Sequence, residues 1–238
     1  MSEIVRFTRR QRAEHLAVMT LFLLLALTGF PQKFFQAGLS GTIVRLLGGL
    51  PRVRFVHRVC GIVFAALTVS HLVTSAFLVL TGRARASLVP RRRDFQDAVT
   101  TLRYYLGLSQ EQARFDHFDY RQKFEYWGLV LGGTLMVVTG FLLYFPTFFT
   151  GFLPGQVIPA AKAAHSSEGL MAFLIVVTWH VYNAHLNPDI FPFDKTIFTG
   201  RITTERMRHE HALELERLEA EGRVPAPPGD EKPPSAHV

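Results

Sequence analysis

The sequence predicts an all-α fold, an integral membrane four-helix bundle with both termini in the cytoplasm. Three observations carry that prediction. Four apolar segments are each long enough to cross a bilayer, which takes roughly 20 helical residues. Basic residues collect between those segments instead of striping one face. Histidines recur inside the segments at matched positions. The 26 Lys+Arg against 19 Asp+Glu leave a net charge of +7, which in a soluble chain would raise nucleic acid as a partner. The distribution excludes that class, because the charges flank long uncharged runs.

The first span covers about residues 13–30 and ends in Leu27-Thr28-Gly29-Phe30-Pro31. It lacks a small-residue cleavage site and carries His15 at its edge, so it reads as a span and not as a signal peptide. The second covers about 55–80, with no charge after Arg58. The third runs from Tyr126 to about Phe145, where Pro146 stops it. The fourth, about 163–186, stops before Asn187-Pro188. The Gly82 to Lys123 connection holds nine basic residues and the Phe145 to Ala161 connection none. With the basic N-terminal flank and the basic stretch after the fourth span, this puts both termini and the long connection in the cytoplasm. Lys33, Arg45, Arg52 and Arg54 in the first outer connection run against the rule without reversing it.

Residues 1–202 therefore read as one four-span domain. A charged cytoplasmic helix is expected over 203–222, a disordered tail over 223–238, and a short interfacial helix over Asp94 to Leu108. Gly41 to Gly49 looks amphipathic and suits the outer surface. No tandem repeat is evident, although the first and third spans share an ending, Leu-Thr-Gly-Phe at 27–30 against Val-Thr-Gly-Phe at 138–141.

One cysteine, Cys60, excludes a disulfide scaffold, a cysteine-ligated metal site and covalent haem attachment. Ten histidines remain, six of them in or at the ends of the spans. An ionisable group in a span is costly and is read as functional. His57 and His71 are 14 apart, and His165 and His180 are 15 apart. At about 100° per residue these steps leave roughly −40° and +60°, so each pair shares a helix face, with its members about 21–22 Å apart along the axis. Both spans run the same way, so His57 faces His165 at one depth and His71 matches His180 at the other. Facing histidines at two levels suit two bis-histidine haems. Gly61 and Gly169 lie four residues after His57 and His165, on the ligand face, and leave room for a macrocycle. Arg54 and Arg58 flank His57 where propionates need cations. His15 sits at the depth of His71 and His180, so the inner haem has two candidate partners for His180. His185 is an interfacial polar residue or, with His71, a ligand of a third haem.

These features resemble the four-span b-type cytochrome subunits of membrane-bound formate dehydrogenases (the gamma subunit), hydrogenases and thiosulfate reductases. The matching stretches are Glu14-His15 leading to Leu-Thr-Gly, Val56-His57-Arg58-Val59-Cys60-Gly61, Arg121-Gln122-Lys123 before Tyr126-Trp127, and His165 with Gly169 and His180. The resemblance implies His57 and His165 as ligands of the outer haem, and His15 and His180 as ligands of the inner one, with His71 the rival to His15. It also implies a quinone pocket beside the inner haem that uses Asp119 and Gln122. The chain departs from the formate-dehydrogenase pattern in having His71 and in the 15-residue spacing on the fourth span. Its Asn-Pro-Asp-Ile-Phe-Pro segment looks like relatives that accompany multihaem c-type cytochromes, and its histidine ladder like the cytochrome b of bc complexes.

The expected function is that of a dihaem, alternatively trihaem, cytochrome b in the bacterial cytoplasmic (inner) membrane. It would serve as the electron-transfer subunit of a quinone-linked respiratory oxidoreductase complex. Its partners would be membrane lipid, quinone, and an outer-face iron–sulfur dehydrogenase subunit or multihaem c-type cytochrome. Asp119, His117 and Glu125 are candidate proton carriers at the cytoplasmic mouth. A membrane diiron oxygenase needs denser clusters such as H-x-x-x-H, which are missing. A non-haem membrane anchor is the remaining alternative, with histidines that only pair helices.

Overall fold

The computed structural model describes residues 3–188 and 190–224, and nearly all of the stretch expected as a disordered tail lies outside them. Strand β1 (Glu3–Val5) precedes α1 (Arg9–Lys33), α2 (Gly38–Leu46), α3 (Leu50–Leu80), α4 (Arg92–Tyr105) and α5 (Tyr120–Tyr144). Then come α6 (Pro146–Thr150), α7 (Val157–Ile175), α8 (Thr196–Thr199), β2 (Arg201–Thr203), α9 (Thr204–Glu210) and α10 (Ala212–Ala220). Two π-helical turns, Val176–His180 and Tyr182–Leu186, continue α7. Four helices are long and apolar enough to cross a membrane: Arg9–Lys33, Leu50–Leu80, Tyr120–Tyr144 and Val157–Leu186.

All four long helices begin before their apolar segments do, and caps account for two of these extensions. Thr8 accepts from the Gln11 backbone N–H at 3.3 Å, and the Gln11 side chain accepts from the Thr8 backbone N–H at 2.9 Å. This reciprocal capping box starts α1 five residues before Glu14. Asp119 and Gln122 do the same for α5. The Asp119 carboxylate accepts from the Gln122 N–H at 2.8 Å, and the Gln122 side chain accepts from the Asp119 N–H at 3.1 Å. The third helix thus begins six residues before Tyr126. Pro31 does not end α1, which continues to Lys33. It falls in the last turn, where a missing N–H costs a single ladder bond. Pro146 does end α5, as expected. Between α2 and α3, Gly48 and Gly49 take φ of 83° and 98°, a left-handed pair that other residues resist.

The chain divides into two units, one from residues 7–86 and 124–198 and the other from residues 1–6, 87–123 and 199–238. The first contains the long helices. Few of their side chains are buried, Val53, Cys60, Ala65, Ala161, Thr28 and Thr139 among them, because most of the apolar surface points outward. Outward apolar surface of this kind suits lipid and not water.

The second unit differs from the single 1–202 domain expected from sequence. β1 pairs antiparallel with β2, Ile4 opposite Ile202. The expected 203–222 helix is two helices, α9 and α10, broken at His211. Ile202, Met207, Leu215, Leu218 and Val224 form its core, with Ile4 packed against them. Beside that core lies a buried polar knot. The Arg6 guanidinium donates to the Glu214 carboxylate and to the His117 carbonyl. Glu214 also pairs with His117 Nδ1 at 2.5 Å, and His211 Nδ1 lies 2.8 Å from the Asp116 carbonyl oxygen. Arg217 closes the knot on Asp116 at 2.6 Å. Three segments far apart in sequence meet here, which is why composition and periodicity gave no warning of it.

Burial and the neighbouring Arg6 charge depress His211 to a pKa of about 4. The unfolded chain therefore binds a proton near the ordinary histidine value that the folded unit refuses. Stability is expected to be lost as pH falls from about 6.5 towards 4. Hydrogen exchange of β1, α9 and α10 across that range checks this, and His211→Gln should flatten the dependence.

Candidate functional site

Four of the six span histidines meet in two pairs. His57 on α3 faces His165 on α7, with ring centroids 6.2 Å apart and planes at 76°. His15 on α1 faces His180, in the first π turn beyond α7, with centroids again 6.2 Å apart and planes at 39°. Two imidazoles bound to one metal ion at about 2.0 Å each, with ring centres about 1.1 Å behind the nitrogen, stand roughly 6.2 Å apart. Both pairs have that separation.

The 15-residue spacing on the fourth span also finds its reason. A π turn takes up one residue more than an α turn, so the turn at Val176–His180 absorbs the residue that separates a 14-residue from a 15-residue spacing. His165 and His180 are thereby presented with the same relative rotation as His57 and His71.

Hydrogen bonds separate these histidines from the other two. Nδ1 of His57 lies 2.9 Å from Thr28 Oγ1, and Nδ1 of His165 lies 2.9 Å from Thr139 Oγ1. Nδ1 of His180 lies 2.8 Å from Glu125 Oε2. In each case Nδ1 is engaged and Nε2 has no hydrogen-bond partner among the described residues. Among the described residues the buried Nδ1 of His15 has no hydrogen-bond partner either, a state that native polar atoms rarely tolerate without a ligand. His71 is different, since its Nδ1 lies 2.9 Å from Glu14 Oε2 and its Nε2 lies 3.1 Å from the Tyr126 hydroxyl. His185 stacks on Phe193 at 4.3 Å, and its Nδ1 accepts from the Asp194 N–H at 3.3 Å.

Among the described residues, no three His, Cys, Asp or Glu side chains gather closely enough to hold a metal ion. Two axial nitrogens per site leave the remaining coordination to a macrocycle, which is the donor set of a bis-histidine haem. Room for it fits in part. A Cβ on Gly61 would meet nothing within 4 Å, whereas one on Gly169 would touch the Met136 methyl at 3.4 Å. Arg54 and Arg58 line a cavity of about 450 Å³ with Pro51, Phe55, Val59, Ile62 and Tyr144. His57 is not part of that lining, and the Arg58 guanidinium lies 5.1 Å from the Tyr144 ring centre.

A family model described as prokaryotic cytochrome b561 matches residues 6–191. The chain belongs to the prokaryotic cytochrome b561 family. Membership makes it a multi-pass prokaryotic membrane protein, a b-type cytochrome of electron transfer whose cofactor is haem b. Among curated proteins, no significant match is found.

Asp119 and Gln122 bond to each other, and Arg121 donates to Asp119 at 2.7 Å. Together Asp119 and Gln122 cap the start of α5. His117, a candidate proton carrier, lies in the Arg6 knot. Glu125 is the carboxylate at His180. Thr28, Thr139 and Tyr126 went unrecognised as partners of histidines. The shared Thr-Gly-Phe ending was the signal for the two threonines.

The glycine of each Thr-Gly pair backs the same imidazole. A Cβ at Gly29 would sit 3.3 Å from His57 Cε1, and one at Gly140 would sit 3.4 Å from His165 Cε1. Gly29→Ala and Gly140→Ala are each expected to push the ring off its axis and lower haem content by up to one haem per chain. Pyridine haemochromogen assay of the purified variants measures it.

Proposed function

We propose that the chain is a dihaem cytochrome b of the cytoplasmic membrane that carries electrons between the quinone pool and a redox partner at the outer face. The observation that supports this most is the pair of imidazole couples with equal 6.2 Å separations. His57 and His165 hold the haem near the outer face, His15 and His180 the one near the cytoplasm. His71 is not a ligand in this reading, because both its nitrogens are engaged by Glu14 and Tyr126. Nor is His185, stacked on Phe193. The count is therefore two haems and not three.

Haem b supplies an iron that gains and loses one electron at a potential set by its ligands and surroundings. The chain's own residues do the rest. The paired imidazoles fix two positions in an apolar sheath, and the helices that carry them exclude water. His165 and His180, the ligands at the two levels on the α7 span, are separated by roughly 21 Å of helical rise, so electrons cross most of the bilayer within one subunit. Quinone exchange belongs to the cytoplasmic end, by the resemblance to formate-dehydrogenase-type subunits. Asp119 and Gln122 act there as the cap of α5, and substitution is expected to weaken that helix start before it alters turnover. An iron–sulfur dehydrogenase subunit or a multihaem c-type cytochrome is the partner at the other face, since this chain has one cysteine and cannot attach haem through C-x-x-C-H.

Ligand variants test the assignment. His57→Ala or His165→Ala should remove one b haem and leave the other, and His15→Ala or His180→Ala should do the reverse. His71→Ala should retain both, as read from reduced-minus-oxidised spectra with haem counting. Loss of the second haem in His71→Ala, with retention in His15→Ala, would exchange their roles. Quinol-driven reduction of both haems in membranes tests the quinone link.

A further inference from the structure

Helices α1 and α5 repeat one another at a constant offset of 111 positions. The capping pairs Thr8/Gln11 and Asp119/Gln122 correspond, as do Glu14 and Glu125, and Thr28-Gly29-Phe30 and Thr139-Gly140-Phe141. Their partner helices repeat too. His57 and Gly61 match His165 and Gly169, 108 positions on, and His71 matches His180 once the π turn has taken up its extra residue. The same contacts are then made twice. Glu14 meets His71 at 2.9 Å, and Glu125 meets His180 at 2.8 Å. Thr28 meets His57 at 2.9 Å, and Thr139 meets His165 at 2.9 Å.

Each threonine is itself held identically. Thr28 Oγ1 donates to the Leu24 carbonyl at 2.6 Å, with Leu25 O at 3.3 Å. Thr139 Oγ1 donates to the Leu135 carbonyl at 2.6 Å, with Met136 O at 3.3 Å. A hydroxyl has one proton. With that proton committed to its own helix, the oxygen can only accept from the imidazole. Nδ1 of His57 and of His165 must then carry the N–H, and the lone pair falls on Nε2. Thr28 and Thr139 are buried, so water does not compete for the contact.

We propose that Thr28 and Thr139 are the positioning residues of the outer pair. Each fixes the Nδ1–H tautomer and the ring rotation of the histidine on its partner helix, so that both Nε2 atoms point at one iron. This rests on the dihaem reading. The two residues lie on different helices, yet by this arrangement they act on the same haem, one from each side. The His180 imidazole has a carboxylate, Glu125, in the corresponding role and answers to neither threonine.

The test uses the purified full-length membrane protein with Thr28→Val, Thr139→Val and the corresponding Ser variants. Haem count, potentiometric titration of each b haem, and electron paramagnetic resonance of the oxidised protein are the readouts. Each Val variant should weaken haem retention at the outer site by roughly 10- to 100-fold. Each should also move the midpoint potential and the resonance signal of that haem alone, and the Ser variants should restore all three. Glu125→Gln should move the other haem. Unchanged potential and resonance in both Val variants would overturn the proposal. So would loss of both haems together, or Ser variants that behave as Val. A wild-type protein without haem would instead defeat the dihaem reading beneath it.

Discussion

Two imidazoles must approach one iron from opposite sides, each with a lone pair aimed inward, and the two must come from helices that never touch in sequence. In the dihaem reading that requirement organises the long helices. α7 is common to both pairs, since it supplies His165 and, through its π turn, His180. α3 and α1 supply the partners His57 and His15. α5 contributes no histidine, yet it carries Thr139, Gly140 and Glu125, each set against a histidine of α7. Its place in the bundle is that of a support, and a span without a ligand is no less tied to the site.

The surroundings of the two pairs are unlike. A neutral hydroxyl backs each histidine of the first pair, and a carboxylate backs His180 of the second. Hydrogen bonding to an anion makes an imidazole a stronger electron donor to its metal. In the dihaem reading the two iron positions are thus chemically distinct although the imidazole separations are equal. The other carboxylate–histidine contact of the long helices, Glu14 with His71, ends on the Tyr126 hydroxyl where its counterpart meets His15. Tyr126 occupies on α5 the position of His15 on α1. That single difference is why the duplicated plan yields one histidine pair at this level.

Much of this was legible in the sequence. Spans are read from runs of apolar residues, and the matched depths of His57 with His165 follow from α-helical rise alone. That His15 and not His71 lies against His180 is a matter of side-chain packing, which periodicity does not report. The spacing anomaly at His180 looked like a departure until the π turn explained it. The Thr-Gly-Phe ending was visible as a faint repeat, but its meaning depended on which helix packs beside which. The ribbon of β1 with β2 and the Arg6 knot join the chain's beginning to residues some two hundred positions later, and no local pattern encodes such contacts. Asp119 and Gln122 also cap α5, a contact that the family resemblance did not suggest.

Ring orientation gives the most direct check on the two bis-histidine sites. The magnetic anisotropy of low-spin ferric haem depends on the angle between its axial imidazole planes, and here those angles are 76° and 39°. Electron paramagnetic resonance of the oxidised, purified protein at low temperature should show two low-spin ferric signals of equal weight. The signal lost in His57→Ala should be strongly anisotropic, and the one lost in His15→Ala should be rhombic. A high-spin signal as the dominant species, or a single low-spin signal that both substitutions abolish, would contradict paired-histidine ligation at two separate sites.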